Sequence, residues 1–234
     1  MEVPMRGLLT LLDANRGRGS PLRAEDAAET AVVYVYDAIG LWGVEAGPFV
    51  QAVRALKAPK MSLRINSPGG DVFDARAMKA ALDDYAGTIT AHVDGIAASA
   101  ASFLMMAADE VVMGDGAFVM IHNAWGLTIG NAEDHRMQAG ILDKVDDGIV
   151  ADYARKTGKP ADELRALMAA ETWFTAQEAV DAGLADRVAE TKAARAASRW
   201  NLSAYARAPE IAAPDFARER SRYDARLRLF ERTA

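Results

Sequence analysis

Three stretches of this chain carry residue types that do chemistry together. Ser99 lies in the small-residue run Gly95-Ile96-Ala97-Ala98-Ser99-Ala100-Ala101-Ser102. A glycine-rich turn, Asn66-Ser67-Pro68-Gly69-Gly70, precedes it, and His122 follows it at the end of the apolar run Phe118-Val119-Met120-Ile121. In this order they offer a nucleophile, a source of backbone N–H donors and a base, the parts needed for acyl transfer at a carbonyl. A serine hydroxyl attacks only when a base takes its proton and a further group orients that base. Ser99 at a helix start would also have backbone N–H groups aimed at a developing oxyanion. Each stretch has a plainer reading. Taken alone, Ser99 reads as a small residue packing a helix closely on a sheet, His122 as a core histidine, and Gly69-Gly70 as a tight strand-to-helix turn. Only the three together point to acyl transfer. His92 falls within a strand just before an Asp94-Gly95 turn, and His135 on a polar-faced helix, so His122 is the best base.

The elements that must position these groups alternate. Ala31–Tyr36 is rich in β-branched and aromatic residues and reads as a strand. Residues 46–57 have helical spacing (Phe49, Val50, Val53, Leu56) and stop before Pro59. Met61–Ile65 reads as a second strand, 71–85 as a helix, and Thr88–Val93 as a third strand. An apolar helix over 97–108 follows, then strands at Glu110–Met113 and Ala117–Ile121. A long amphipathic segment runs from Ala132 to Thr157, ended by Gly158-Lys159-Pro160, with shorter helices over 161–170 and 175–182 and a closing segment Ala185–Val188. Alternation of this kind implies βαβ units and a mostly parallel sheet with right-handed crossovers. Functional groups then gather at the carboxyl ends of strands, where all three stretches fall.

Composition narrows the class. With 234 residues, 51% of them hydrophobic, the chain can bury a sizeable core. It has no cysteine, which excludes disulfides, thiol catalysis and cysteine-ligated zinc. The net charge of −6 argues against general nucleic-acid binding. Residues 191–234 hold ten Lys/Arg and five Asp/Glu, a net of +5, which leaves −11 on the rest and marks a basic tail. Residues 1–29 read as a loosely docked lead-in, 201–214 as a linker and 216–232 as an Arg-rich helix. Leu8–Leu12 is too short for a signal segment. The longest apolar run, Ile96–Ala108, is 13 residues, too short to span a bilayer. A soluble cytoplasmic protein is expected, without nucleic acid or membrane as partner.

Four motifs in order resemble the ClpP family of serine peptidases over roughly residues 31–190: Ile65–Gly70, Gly95–Ala100, Met120-Ile121-His122-Asn123, and Glu171-Thr172-Trp173-Phe174-Thr175-Ala176-Gln177-Glu178 with its continuation to Asp186. The resemblance implies the ClpP/crotonase fold of stacked β-β-α units, an α/β architecture with a long protruding helix. It implies a serine endopeptidase with Ser99 as nucleophile, His122 as general base, and the N–H groups of Gly70 and Ala100 as oxyanion donors. No metal or organic cofactor is called for. The family's catalytic aspartate aligns with Glu171, whose carboxylate can also accept an imidazole N–H; Asp152 and Asp162 are weaker alternatives. The division is a lead-in (1–29), a peptidase domain (30–190) and the basic tail (191–234).

Within the family, the Ala-rich nucleophile stretch, Glu-Thr-Trp-Phe, Ile39-Gly40-Leu41-Trp42-Gly43 and the basic tail look more like the head-maturation proteases of tailed phages. Substrate would then be capsid or scaffold protein, in the host cytoplasm or the procapsid. No version of the loop by which the housekeeping subunit engages its unfoldase is recognisable, which counts against an ATPase partner. Family members form stacked rings through a long helix, matched here by Ala132–Thr157, so a ring-forming homo-oligomer is expected. Three other readings compete. They are a non-catalytic assembly scaffold, a crotonase-type acyl-CoA enzyme, which needs no Ser–His pair, and a Ser–Lys peptidase, for which no lysine stands in a matching motif.

Overall fold

The structure, a computed structural model, describes residues 7–190 and 200–209. The elements in chain order are α1 (Gly7–Asn15), β1 (Arg23–Glu25), β2 (Thr30–Val35), α2 (Ala46–Ala55), β3 (Lys60–Ser67), α3 (Val72–Asp83), β4 (Thr88–Ala98) and α4 (Ala100–Leu104), the last running into a 3-10 turn over Met105–Ala107. Then come β5 (Glu110–Met113), β6 (Phe118–Ile121), α5 (Ala132–Thr157), α6 (Ala161–Ala169), β7 (Thr172–Thr175), α7 (Ala176–Asp181) and β8 (Arg187–Val188). The strands form one sheet in the order β1-β2-β3-β4-β5-β8, with β6 pairing β4 and β7. Only the β1–β2 and β6–β7 pairs are antiparallel. This is the mixed α/β architecture with a mostly parallel sheet that the alternation implied.

The central strand decides where the site falls. The first half of β4 pairs β5 from Thr90 to Val93, and its last residues pair β6, Ile96 with Phe118 through Ala98 with Met120. The expected turn at Asp94-Gly95 is therefore absent, and the helix expected from residue 97 starts only at Ala100. The reason is long-range. Small residues at 97 and 98 let β6 close on the strand, and the ladder holds them extended until Ser99 turns the chain.

Local signals fix the helices. Asp71 caps α3, accepting from the N–H groups of Phe73 and Asp74. Asn131 and Asp134 form a capping box that opens α5, and Gly158, with φ +70°, closes it. Thr175 and Glu178 form a second capping box, so the Glu171–Glu178 motif encodes a strand feeding a capped helix. Val145, Ile149, Val150 and Tyr153 of α5 are buried on the domain, whereas Met137 and Ile141 toward its start are 63% and 43% exposed.

Two further segments depart from expectation. The lead-in contains α1 and β1, with Leu11 and Leu12 buried. Residues 200–209, read as linker from 201 onward, lie against the domain: Trp200, Leu202 and Tyr205 are buried in a cluster with Leu11, Ile96, Ala98 and Met120. Both are held by apolar contacts to distant parts of the chain, which local sequence does not display. The helix expected over 216–232 lies outside the described residues.

Candidate active site

Ser99 ends β4 and serves as the N-cap of α4 in a conformation few residues adopt, φ +53° and ψ −123°. Its N–H donates to the Met120 carbonyl at 2.9 Å, tying the turn to β6. Beneath it, the Ser102 hydroxyl donates to the Ser99 carbonyl at 2.7 Å and pairs with the Tyr153 hydroxyl of α5 at 2.8 Å. Ser99 is half-buried.

His122 follows the last residue of β6. Its Nε2 lies 2.8 Å from Ser99 Oγ, hydrogen-bond distance for proton transfer. The segment after it is pinned to α5, where Asp146 accepts from the Ala124 N–H at 2.7 Å. The imidazole is 8% exposed and meets Trp125 and Tyr205 edge-on, with ring centroids 4.6 Å and 5.4 Å away. Burial pushes its pKa down to about 4. Among the described residues no acceptor takes up its Nδ1.

The glycine turn faces this pair. Gly69 has φ +90° and Gly70 φ +150°, both forbidden ground for side chains. A Cβ on Gly69 would stand 2.5 Å from the Ala98 carbonyl oxygen, and one on Gly70 only 2.0 Å from that of Ile39. Both positions therefore require glycine. Ile39 clamps the turn through its backbone, donating to the Gly69 carbonyl and accepting from the Asp71 N–H, each at 2.9 Å. That pattern bypasses the Gly70 N–H. The Ala100 N–H, first in α4, precedes the helix's own hydrogen bonds and is likewise uncommitted. Both residues line one pocket with Ser99 and His122, whose other walls are largely apolar: Phe73, Phe103, Ala124, Trp125, Ile149 and Tyr153.

Glu171 holds a telling position. β6 and β7 pair antiparallel from Phe118–Thr175 to Ile121–Thr172, and one further step of that register sets His122 opposite Glu171. Directly opposed residues share a face of the sheet and lie within side-chain reach. Yet the Glu171 carboxylate is turned to residues 200–209. It accepts from the Ala206 and Arg207 N–H groups at 3.0 and 2.7 Å, and from Trp173 Nε1 at 3.4 Å. Its backbone takes φ +49°. Asp152 pairs instead with Arg155 at 2.7 Å and Lys79 at 3.7 Å, and Asp162 sits exposed in the first turn of α6.

Tyr205, unremarked in the sequence, is buried against His122, with its hydroxyl donating to the Pro68 carbonyl at 2.6 Å. The signal available was three large apolar residues at close spacing, Trp200, Leu202 and Tyr205, in a segment otherwise read as linker.

A serine hydroxyl within hydrogen-bond distance of an imidazole at the carboxyl ends of parallel strands, beside backbone N–H groups, is an arrangement that can perform serine acyl transfer. A family model for the Clp protease matches residues 51–192, and the chain belongs to that family. It is similar to the protein named ATP-dependent Clp protease proteolytic subunit 1 in three bacteria. The identity is 34% over 128 residues for Protochlamydia amoebophila (strain UWE25), covering 53% of this chain and 62% of that protein. It is 31% over 131 residues for Leifsonia xyli subsp. xyli (strain CTCB07), covering 55% and 66%. It is 29% over 136 residues for Synechococcus sp. (strain CC9902), covering 57% and 69%. The chain thus spans just under two thirds of the length of the first two. Among the described residues no helix is long and apolar enough to cross a membrane.

Proposed function

We propose that this chain is a serine endopeptidase in which Ser99 attacks a peptide carbonyl while His122 takes its proton. The N–H groups of Gly70 and Ala100 receive the oxyanion. His122 then protonates the leaving amine and activates water for deacylation. Glu171, one register step away, is the carboxylate that serves the imidazole. The apolar walls of the pocket suit a hydrophobic side chain beside the scissile bond. The peptidase unit is residues 30–190, and the exposed start of α5 is its contact for ring assembly. The observation that carries the reading is the 2.8 Å separation of Ser99 Oγ and His122 Nε2.

Two biological settings accommodate this site. Head maturation on capsid or scaffold protein is favoured by the Ile39–Gly43 segment, the Glu-Thr-Trp-Phe motif and the basic tail. An unfoldase-coupled proteolytic subunit is favoured by the names of the similar proteins, which are ATP-dependent. Cleavage of folded protein only when an AAA+ unfoldase and ATP are supplied would select the second.

Fluorophosphonate labelling with peptide mapping tests the chemistry. Wild type should label at Ser99 and Ser99→Ala not at all, with turnover reduced by about 10⁶ as in other triad enzymes. A folded chain that stays unlabelled, alone, with capsid-type protein present and with residues 200–209 loosened by substitution, would leave the assembly-scaffold reading in its place.

A further inference from the structure

Residues 200–209 reach all four motifs that build the site, packing on Ile96 and Ala98 beside Ser99 as well as on the other three. Trp200 Nε1 donates to Asn66 Oδ1 at 3.1 Å, and the Tyr205 hydroxyl to the Pro68 carbonyl at 2.6 Å, both on the oxyanion turn. The Tyr205 ring packs on His122. The amides of Ala206 and Arg207 occupy Glu171. At the other end Asn201 and the fully buried Asn15 exchange hydrogen bonds, Asn201 N–H to Asn15 Oδ1 at 2.7 Å and Asn15 Nδ2 to the Asn201 carbonyl at 2.9 Å. Such a segment is seated as a peptide ligand is seated, by buried aromatic anchors and backbone hydrogen bonds at intervals.

The cost of this seating falls on one atom. The His122 Nδ1 has no acceptor among the described residues, although Glu171 immediately precedes the strand that pairs with β6, just beyond the end of the ladder. A serine–histidine pair depends on such a carboxylate to fix the tautomer and stabilise the imidazolium formed during attack. Two charge-assisted hydrogen bonds to backbone N–H groups hold Glu171 elsewhere, and they compete directly with a single bond to the imidazole.

Resting on the peptidase reading above, we propose that residues 200–209 are an intramolecular peptide ligand of a site formed by the Asn66–Pro68 turn, Trp125, Trp173 and Glu171, and that their release passes the Glu171 carboxylate to His122 and switches catalysis on. The seated segment does not line the substrate pocket, but its Tyr205 hydroxyl interacts with Ser99 as its ring packs on His122, so the segment bears on the nucleophile as well as on the base.

The test uses the full chain. Arg207→Pro removes one of the two N–H groups on Glu171, and Tyr205→Ala removes the aromatic anchor, so two independent changes loosen the segment. Hydrogen exchange over residues 200–209 reads its release, and the rate of fluorophosphonate acylation of Ser99 reads the site. Both variants should exchange faster and acylate about tenfold faster or more, within the ~10⁴ that an orienting carboxylate commands. Adding Glu171→Gln to Arg207→Pro should cancel the gain, and a synthetic peptide of sequence 200–209 should reverse it in Tyr205→Ala saturably. Faster exchange with unchanged or slower acylation overturns the proposal and leaves Ser99 as nucleophile. Absence of label in wild type and variants alike overturns the peptidase reading and the switch with it.

Discussion

The titration of His122 follows from its surroundings and can be measured without a substrate. The imidazole is 8% exposed, and its pKa is lowered by burial to about 4. The groups in contact with it are Ser99, Trp125 and Tyr205, all neutral at ordinary pH, while the Glu171 carboxylate is committed to the Ala206 and Arg207 amides and burial alone sets the shift. In the unfolded chain the ring titrates near ~6.5. Between these two values the unfolded state binds the extra proton, so stability rises with pH across the window and is complete above it. The difference of about 2.5 units corresponds to about 3 kcal/mol lost on going from pH 7 to pH 4. Carbon-detected NMR of the imidazole should give a midpoint near 4, and His122→Gln should flatten the same interval in a plot of urea stability against pH. Acylation of Ser99 should stay nearly level from pH 8 down to 5. A midpoint at or above 6.5 would refute the reasoning, because it requires an anion at Nδ1 in the resting state. In Arg207→Pro the midpoint should move upward, since the freed carboxylate favours the imidazolium.

Two further outcomes follow from the packing around the nucleophile. Ser102→Ala should destabilise by about 2 kcal/mol, since it strands the fully buried Tyr153 hydroxyl, whereas Tyr153→Phe leaves Ser102 its bond to the Ser99 carbonyl and should cost about 1 kcal/mol; denaturant titration ranks the two. On α5, Met137→Glu with Ile141→Glu should convert a ring to smaller species in light scattering at unchanged melting temperature, because both side chains are exposed in the subunit. A wild-type monomer at micromolar concentration would remove the assembly role from this helix.

How far the sequence reveals this molecule depends on the range over which each feature is decided. Strands such as β2, with its alternation of half-buried and buried residues, and helices with side-chain caps such as α3 and α5 carry their own signals, and their bounds were readable within a few residues. β7 was not, because Thr172–Thr175 lacks the continuous apolar run that marks β5 and β6, and its partner β6 is some fifty residues away in sequence. The false turn at Gly95 has the same origin: the ladder to β6 overrides a local breaker.

The site divides along the same line. The contact of Ser99 with His122 was foreseeable because those residue types pair when a hydroxyl is to be activated, and the glycine turn because only glycine fits beside the Ala98 and Ile39 carbonyls. The state of Glu171 was not, since backbone amides hold it and a backbone amide leaves no mark in a sequence. A residue type can announce that a carboxylate is present beside a base. Whether the base receives it is settled by a competition between donors, and here one competitor is a segment whose Trp200 and Tyr205 reach the oxyanion turn more than a hundred residues upstream. That separation makes the arrangement suitable for control: the segment can be seated or withdrawn while the sheet that aligns Ser99 with His122 stays as it is.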